Sequence, residues 1–357
     1  MKTYTCTCGQ LLFFENVSCV SCQREVGFLP DLICVSSLDP KDGVYTPTVP
    51  DAKGRTYKKC TNFSTGICNW LIPSDSAETF CTSCRLDTMI PDQSVPQNMI
   101  SWGLIEAAKR RFVYSALRLK LPLANRTDDP QRGLGFRFMA DTLNPDGTIA
   151  SKVMTAHDNG LITLNIAEAD DSLREKMRLG MNEPYRTLLG HFRHETGHYY
   201  WDRLVLNSNL LDQYRALFGD ERQSYDEAMK NYYAKGAPPD WQNGYISAYA
   251  TMHPWEDWAE TWAHYLHTQD TLEVAADFGL VGKRIRIDPK GDSEGDKPAL
   301  KARPFDQVLE TWAELTVALN SINRSMGLRD LYPFVLSAPV AEKLYFISQV
   351  IANSDAV

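Results

Sequence analysis

The sequence is organised around Gly190-His191-Phe192-Arg193-His194-Glu195-Thr196-Gly197-His198-Tyr199-Tyr200-Trp201. His194 and His198 stand four residues apart, so a helix would place both imidazoles on one face, one turn apart. Glu195 would lie beside them. This His-Glu-x-x-His pattern is typical of a zinc site in which the histidines bind the metal and the glutamate handles the proton of a water molecule. The stretch therefore predicts a hydrolytic zinc site on a helix, with Glu195 as the general base.

Composition narrows the class of protein. The 357 residues can form two or three domains, and 43% hydrophobic and 23% charged residues are ordinary for a globular chain. A net charge of −8 argues against a general nucleic-acid binder. The sequence shows no apolar run near the roughly 18 residues of a membrane span, and its first residues lack the apolar core of a signal peptide. We therefore expect a cytoplasmic protein that does not associate with membranes.

All nine cysteines lie before residue 85, and this segregation and the odd count fit a disulfide scaffold poorly. In a reducing compartment, closely spaced cysteines indicate metal. One set is Cys6, Cys8, Cys19 and Cys22, and the other is Cys60, Cys68, Cys81 and Cys84. Residues 11–16 read as a short strand ending in a turn between the first pairs, as in a zinc ribbon. We predict two structural zinc ions in an N-terminal zinc-ribbon domain of residues 1–92.

Other interpretations of the cysteines stay open. Each ion could take one pair from either half, iron would suit four thiolates as well as zinc does, and Cys-x-x-Cys also serves redox chemistry. Cys34 is interpreted as a buried apolar residue. Residues 1–92 hold eight Lys/Arg and ten Asp/Glu, a balance that disfavours phosphate binding. A structural or protein-binding ribbon is therefore favoured, and nucleic acid is not an expected partner.

Between the two motifs, the pattern predicts a helix and a small sheet. Apolar residues recur at helical spacing over residues 98–121, and basic residues decorate this helix, which we interpret as a solvated face in preference to an anionic docking patch. The basic residues are Lys109, Arg110, Arg111, Arg118 and Lys120. Strands are predicted at 135–139, 152–157 and 161–166, with a hairpin at Asp158-Asn159-Gly160. An edge strand of this mixed sheet could bind an extended peptide, whereas His157 is interpreted as a turn residue.

The helix that carries the two histidines is predicted to begin near residue 182, with Pro184 at its first position, and to run to about residue 204. Asp202 follows His198 by four residues, so it could support the metal ligands, or it could pair with Arg203. For His191, a packing role is favoured over substrate binding.

A catalytic zinc normally takes a third protein ligand. Residues 254–267 read as a buried helix that begins at Pro254, and four candidate residues lie near one stripe of it. They are Glu256, Glu260, His264 and His267. Carboxylates on a mostly apolar helix are costly to bury unless they bind a metal or a partner. This stretch is therefore the predicted source of the third ligand.

His-Glu-x-x-His followed on a second helix by Glu-x-x-x-Asp/Glu is similar to the gluzincin clan of zinc metallopeptidases. The resemblance implies that Glu256 is the third ligand and that Glu260, where many members have Asp, orients a ligand histidine. It also implies that Tyr249, seven residues before Glu256, stabilises the oxyanion. His264 and Glu260 remain alternatives for the third ligand.

The whole chain resembles a bacterial family of zinc-binding metallopeptidases with an N-terminal zinc ribbon. The motifs that carry this resemblance are Phe13-Phe14-Glu15-Asn16, Cys68-Asn69-Trp70, Cys81-Thr82-Ser83-Cys84-Arg85, the histidine stretch and Pro254-Trp255-Glu256-Asp257. It implies an α+β chain in which the ribbon precedes a mostly helical, zincin-like domain, residues 97–357, with a small mixed sheet. A charged loop is predicted at 284–305, with helices at 305–323 and 340–353.

We therefore predict a zinc-dependent peptidase or amide hydrolase with one catalytic and two structural zinc ions, acting on a peptide or protein. A protein partner of the ribbon is a further expectation. The alternative from another class is an adaptor, in which the ribbon binds protein or nucleic acid and the zincin domain turns nothing over.

Overall fold

The computed structural model describes residues 2–144, 146, 148–180, 187–281 and 305–354. Apart from a few terminal residues, they cluster into two compact units, drawn from Lys2–Leu204 and from Val205–Asn353. The fold is α+β as predicted, with a β-rich, cysteine-bearing N-terminal region followed by a mostly helical part with a small mixed sheet. The predicted helix start at 182–184 and nearly all of the predicted loop at 284–305 lie outside the described residues.

None of the helices in the described part of the chain combines the length and the hydropathy that crossing a membrane requires. The domain boundary predicted between residues 92 and 97 stays a prediction.

Short strands form the N-terminal region. They are β1 (Tyr4–Thr5), β2 (Leu11–Leu12), β3 (Val26–Leu29), β4 (Cys34–Lys41), β5 (Val44–Pro47), β6 (Tyr57–Lys59) and β7 (Leu71–Pro73). β1 and β2 form an antiparallel hairpin, and the other five form an antiparallel sheet in the order β3-β4-β5-β6-β7. Leu29, Leu38, Tyr57 and Leu71 are buried in one small cluster on this sheet. So few apolar side chains stabilise a fold weakly, which is why metal cross-links suit this region.

The remainder of the first unit contains the mixed sheet and three helices. These elements are β8 (Asp87–Met89), α1 (Pro96–Arg118), β9 (Gly135–Met139), β10 (Thr142–Leu143), β11 (Ile149–Ser151), β12 (Ala156–Asp158), β13 (Leu161–Asn165), α2 (Asp171–Gly180) and α3 (Leu188–Leu204). The sheet has the order β12-β13-β9-β8, in which β8 and β13 run parallel to β9 while β12 runs antiparallel to β13. Asn159 and Gly160, with φ of 48° and 83°, form the predicted hairpin turn.

One predicted strand is partly wrong, because residues 152–155 are not in a strand and β12 begins only at Ala156. Side chains bind the backbone of this segment instead of a neighbouring strand. The Val153 N–H donates to Asp141 Oδ1 at 2.7 Å, and the Val153 carbonyl accepts from the Asn165 amide at 3.2 Å. The alternation of apolar and polar residues predicts a strand, but it does not show that side chains replace the neighbouring strand as hydrogen-bond partners.

The cysteine-bearing region and α1 share an aromatic core. Phe14 lies with its ring centroid 5.3 Å from that of Tyr114 on α1, and Phe28 lies 4.4 Å from Trp70 and 6.0 Å from Tyr114. The Arg110 guanidinium also donates to the Ile67 carbonyl. Segments on both sides of residue 92 therefore stabilise one another.

The interpretation of the basic residues of α1 as a solvated face is wrong for Lys109 and Arg110, which are buried. Lys109 Nζ lies 2.6 Å from Glu106 Oε1 and also contacts the Asp87 carboxylate. Two carboxylates compensate the buried ammonium, which would otherwise be strongly unfavourable in the interior. The physical reason for the difference is that the N-terminal region covers this face of α1.

The second unit is helical, with α4 (Leu211–Phe218), α5 (Tyr225–Lys235), α6 (Pro254–Asp277), α7 (Phe305–Ser325) and α8 (Ala338–Ala352). Trp258 of α6 lies at its centre, with its ring centroid 5.8 Å from Phe218 of α4 and 6.2 Å from Phe346 of α8. Asp257 and Lys343 form a buried ion pair of 2.6 Å between α6 and α8. Burial raises the pKa of Asp257 to about 7, although Lys343 acts in the opposite direction.

Candidate active site and metal centres

The first four cysteines surround one point beside the β1–β2 hairpin. The Sγ atoms of Cys6 and Cys22 are 3.6 Å apart, as are those of Cys8 and Cys19. Four thiolates that bind zinc tetrahedrally at about 2.3 Å hold their sulfur atoms roughly 3.8 Å apart, so this geometry fits the ion. Gly9, with φ of 86°, turns the chain back after the short Cys6-x-Cys8 spacing.

The second four cysteines, Cys60, Cys68, Cys81 and Cys84, form a fully buried cluster. Cys68 Sγ and Cys81 Sγ are 3.7 Å apart, again close to a tetrahedral edge. The Trp70 backbone N–H donates to Cys68 Sγ at 3.4 Å. The structure thus groups the cysteines into the two predicted sets and not into one pair from each half. Cys34 packs against the apolar cluster on the N-terminal sheet.

Helix α3 presents His194 and His198 together. Their ring centroids are 5.0 Å apart and their planes are almost perpendicular, at 86°. His198 is buried and His194 is partly exposed. Phe192 packs edge-on against Phe136 of β9 at 5.3 Å, which holds the helix on the sheet. The pair therefore offers two imidazole donors, the ligand type that zinc prefers, on a fixed support.

Glu195 lies beside these histidines and is largely buried. It accepts a hydrogen bond from Nε2 of His191 at 3.1 Å. Burial alone would favour the neutral acid, but this bond and the neighbouring imidazoles lower the pKa of Glu195 to about 2. The carboxylate is therefore ionised at neutral pH. His191, for which packing was the favoured role, makes specific polar contacts.

His157 lies on β12 beside the hairpin turn, where its Nε2 accepts from the Gly160 N–H at 3.0 Å. Its ring centroid lies 5.9 Å from that of His198. Burial lowers the pKa of His157, which matches a neutral ring whose Nε2 is an acceptor. This contact agrees with the interpretation of His157 as a turn residue.

In the second unit, Glu256 lies in the first turn of α6 and is buried. The helix begins at Pro254 as predicted, and the His253 side chain caps it by accepting from the Trp255 N–H at 3.1 Å. Tyr225, the first residue of α5, donates its hydroxyl to Glu256 Oε1 at 2.9 Å. The carboxylate is thereby held in one orientation.

Tyr249 lies in a 3-10 turn just before α6, and its ring centroid is 5.7 Å from that of Tyr232. Burial, and then the nearby charge of Glu256, raises the pKa of Tyr249 well above its usual value. Its hydroxyl therefore keeps its proton, as a hydrogen-bond donor must. Glu260 accepts from the Ser247 hydroxyl at 2.6 Å.

Asp202 and His264 are two further candidates for the site. Burial raises the pKa of Asp202 to about 6, partly offset by Arg132. Arg203, an expected partner of Asp202, pairs with Asp129 at 3.1 Å. His264 is buried, and its Nδ1 lies 2.8 Å from the Tyr332 hydroxyl. That contact gives His264 a structural partner within its own unit.

Sequence reasoning missed Tyr225 and Glu168. Tyr225 contacts a residue 31 positions away, and Glu168, buried in a 3-10 turn, lies 2.6 Å from Nδ1 of His191. Ser224, whose side chain accepts from the Glu227 N–H, signals a helix start before Tyr225. Neither residue belongs to a motif, so no sequence signal connects either of them to the site.

Two family models match successive parts of the chain. A family model described as "Putative zinc-binding metallo-peptidase" matches residues 98–350, and a zinc-ribbon domain model matches residues 3–95. Uncharacterized proteins of Mycobacterium bovis and Mycobacterium tuberculosis are each 41% identical to the chain over 354 residues, which cover 98% of this chain and 95% of each relative. No solved structure matches the chain.

Proposed function

We propose that this chain, which belongs to the zinc-binding metallo-peptidase family, hydrolyses peptide bonds at a gluzincin-type zinc site, with water as the nucleophile. His194, His198 and Glu256 would hold the catalytic ion. The two cysteine sets would hold one structural zinc each. Peptides or proteins are the substrate class, and we retain a cytoplasmic location and a protein partner of the ribbon as expectations.

Zinc supplies two effects when bound: it lowers the pKa of water towards neutrality and polarises a carbonyl oxygen. The chain's own residues do the rest. Glu195 takes up a proton from the attacking water and passes it to the nitrogen of the leaving amine. Tyr249 donates its hydroxyl to the oxygen on which negative charge develops. Glu260 and Asp202 are proposed to support the ligands from behind.

The mixed sheet offers a place for the substrate backbone. β12 is the outermost strand in the order β12-β13-β9-β8, and its residues are exposed or partly exposed. An extended peptide can add to such an edge through main-chain hydrogen bonds, with little demand on side-chain identity. His157 on β12 lies close to His198, so a peptide on this edge would pass near α3.

The observation that carries the proposal is the arrangement on α3. Two imidazoles share one face, and an ionised, largely buried carboxylate is held beside them by His191. A buried carboxylate is costly unless a partner compensates it, and His191 does so here while leaving Glu195 beside the two imidazoles, where a general base is required.

The test compares wild type with Glu195→Gln in zinc-loaded, full-length protein, using fluorescein-labelled casein as the probe. Glutamine keeps the shape but cannot accept the proton, so we expect unchanged zinc content and a rate lower by on the order of 10²–10⁴. Glu314→Gln, an exposed change on α7, is the matched control and should retain the full rate. Full activity of Glu195→Gln with zinc bound would exclude this mechanism.

A further inference from the structure

Three side chains form a line that ends at Glu195. Thr155 Oγ1 donates to Glu168 Oε1 at 2.6 Å, and Glu168 Oε2 lies 2.6 Å from Nδ1 of His191. Nε2 of His191 then lies 3.1 Å from Glu195 Oε1. Glu168 comes from the turn that follows β13, whereas His191 and Glu195 lie one turn apart on α3. The line therefore connects the proposed base to a part of the fold outside its own helix.

We propose that His191 is a positioning residue that bridges Glu168 and Glu195 and thereby fixes the Glu195 carboxylate for proton transfer. This inference rests on the proposed function, in which Glu195 is the general base. Thr155 and Glu168 hold His191, and His191 holds Glu195.

Histidine suits this place because of its shape. Its two ring nitrogens point away from each other on a rigid plane, so a doubly protonated ring can donate to two acceptors at once. Here both nitrogens face carboxylates. Burial disfavours the charged ring, but Glu168 and then Glu195 outweigh it and raise the pKa of His191 to about 9. The bridge is therefore cationic at neutral pH, with one N–H directed at each carboxylate.

Glu168 is a rigid anchor for this bridge. It is buried in the 3-10 turn Ile166–Ala169, which Asn165 caps by accepting from the Ala167 N–H at 2.9 Å. The Arg174 guanidinium binds the Glu168 carbonyl as well. With the backbone held on both sides and both carboxylate oxygens engaged, Glu168 has little freedom to follow a moving partner.

For the reaction, the bridge matters because it limits the movement of the Glu195 side chain. A glutamate has three side-chain torsions, and a misplacement of about 1 Å at a reacting group can reduce a rate by roughly 100-fold. His191 engages Oε1, so the proton is accepted at Oε2 and leaves from there to the amine. A bridge that served stability alone would need only Glu168 and His191 and would not extend to the residue beside the two histidines.

The test uses graded variants of the full-length, zinc-loaded protein with fluorescein-labelled casein. His191→Gln and Glu168→Gln should lower kcat by about 10- to 100-fold with KM and zinc content little changed, because positioning affects the transition state more than substrate binding. Thr155→Val, which removes only the distal hydroxyl, should lower kcat several-fold, and Thr155→Ser should restore it. Glu314→Gln, an exposed change on α7, is again the matched control. The Thr155 pair keeps the test usable if the larger changes prevent folding.

A second measurement does not depend on turnover. Nitrogen-15 NMR of the histidine side chains should show two ring N–H groups on His191 at pH 7.5 in wild type, and the loss of one in Glu168→Gln. If wild type hydrolyses casein while the variants keep kcat within twofold, the positioning role is overturned. If wild type hydrolyses no casein, the proposed function fails on that probe, and the NMR result decides the bridge: a singly protonated His191 overturns it, and a doubly protonated one supports it.

Discussion

Tyr225 donates its hydroxyl to Glu256 across 2.9 Å, although the two residues are 31 positions apart and lie on different helices. One oxygen of the proposed zinc ligand is thereby oriented by a neighbour within the same compact unit. A partner of this kind fixes a metal-binding carboxylate in place and tunes its affinity for the ion.

Tyr225→Phe should therefore weaken zinc binding at the catalytic site by about 10- to 100-fold, the usual effect of removing such a partner. The measurement is competition with a chelator of known affinity, combined with the rate on casein at saturating zinc. Tyr233→Phe is the control, since Tyr233 is 62% exposed on the same helix. Equal zinc affinity in Tyr225→Phe and wild type would show that Glu256 needs no such support, or is not a ligand.

The grouping of the cysteines predicts that substitutions at Cys68 and at Cys34 will affect the zinc content differently. Cys68→Ser should reduce the bound zinc from the proposed three ions per chain to two and lower the thermal midpoint, because its cluster is proposed to hold one ion in place of a larger core. Cys34→Ser should leave the metal content unchanged, since Cys34 packs against apolar side chains. Metal analysis after gel filtration gives the counts, and a loss of zinc in Cys34→Ser would contradict the grouping.

The buried pair Asp257–Lys343 predicts a large effect on stability. Lys343→Met leaves the Asp257 carboxylate in the interior without its cation, which should reduce the free energy of unfolding by about 3–5 kcal/mol. Urea denaturation measures this, with the exposed Lys235→Met as the control. The double variant Asp257→Leu/Lys343→Met should recover much of the loss, because no charge then remains buried. A single variant as stable as wild type would show that the pair contributes little.

The raised pKa of Asp202 predicts that the stability of the folded protein depends on pH. Its pKa in the folded protein is raised to about 6, so the folded state binds this proton more tightly than the unfolded chain. The group therefore favours folding at low pH, and that contribution is lost as the pH rises from about 4 to about 6. Asp202→Asn should melt at a higher temperature than wild type at pH 7.5, with the difference disappearing below pH 4. A lower midpoint at pH 7.5 would contradict this pH dependence, and zinc lost from Asp202→Asn would reflect the proposed support of the ligands.

Much of the architecture could be predicted because periodic patterns and local signals are short-range. β9 covers the predicted residues 135–139, and α6 begins at Pro254 because proline suits the first turn of a helix. The spacing of the cysteines indicated the two sets but left open an exchange of pairs between them. In each case, the residues that define the feature lie close together in the chain or share one recognisable motif.

The features that could not be predicted from the sequence depend on contacts between segments that are distant in the chain. Lys109 has the residue type of a solvated face, and only the N-terminal region packed over α1 makes it a buried cation. The line from Thr155 through Glu168 to His191 joins three elements, and each of its members is unremarkable in its own segment. Periodicity shows that a helix has faces, but it does not show which other segment covers each face.

The aromatic core shared by the N-terminal region and α1 has a consequence for how the protein can be handled. α1 packs on α3, the helix with the two histidines, and it also carries Tyr114 against Phe14 and Phe28. A truncated chain starting at residue 97 would expose these rings together with Lys109, stripped of Asp87. We expect such a fragment to aggregate in the expression host instead of yielding a minimal enzyme. Chelation that empties the cysteine clusters should likewise loosen the helix on which catalysis is proposed to depend.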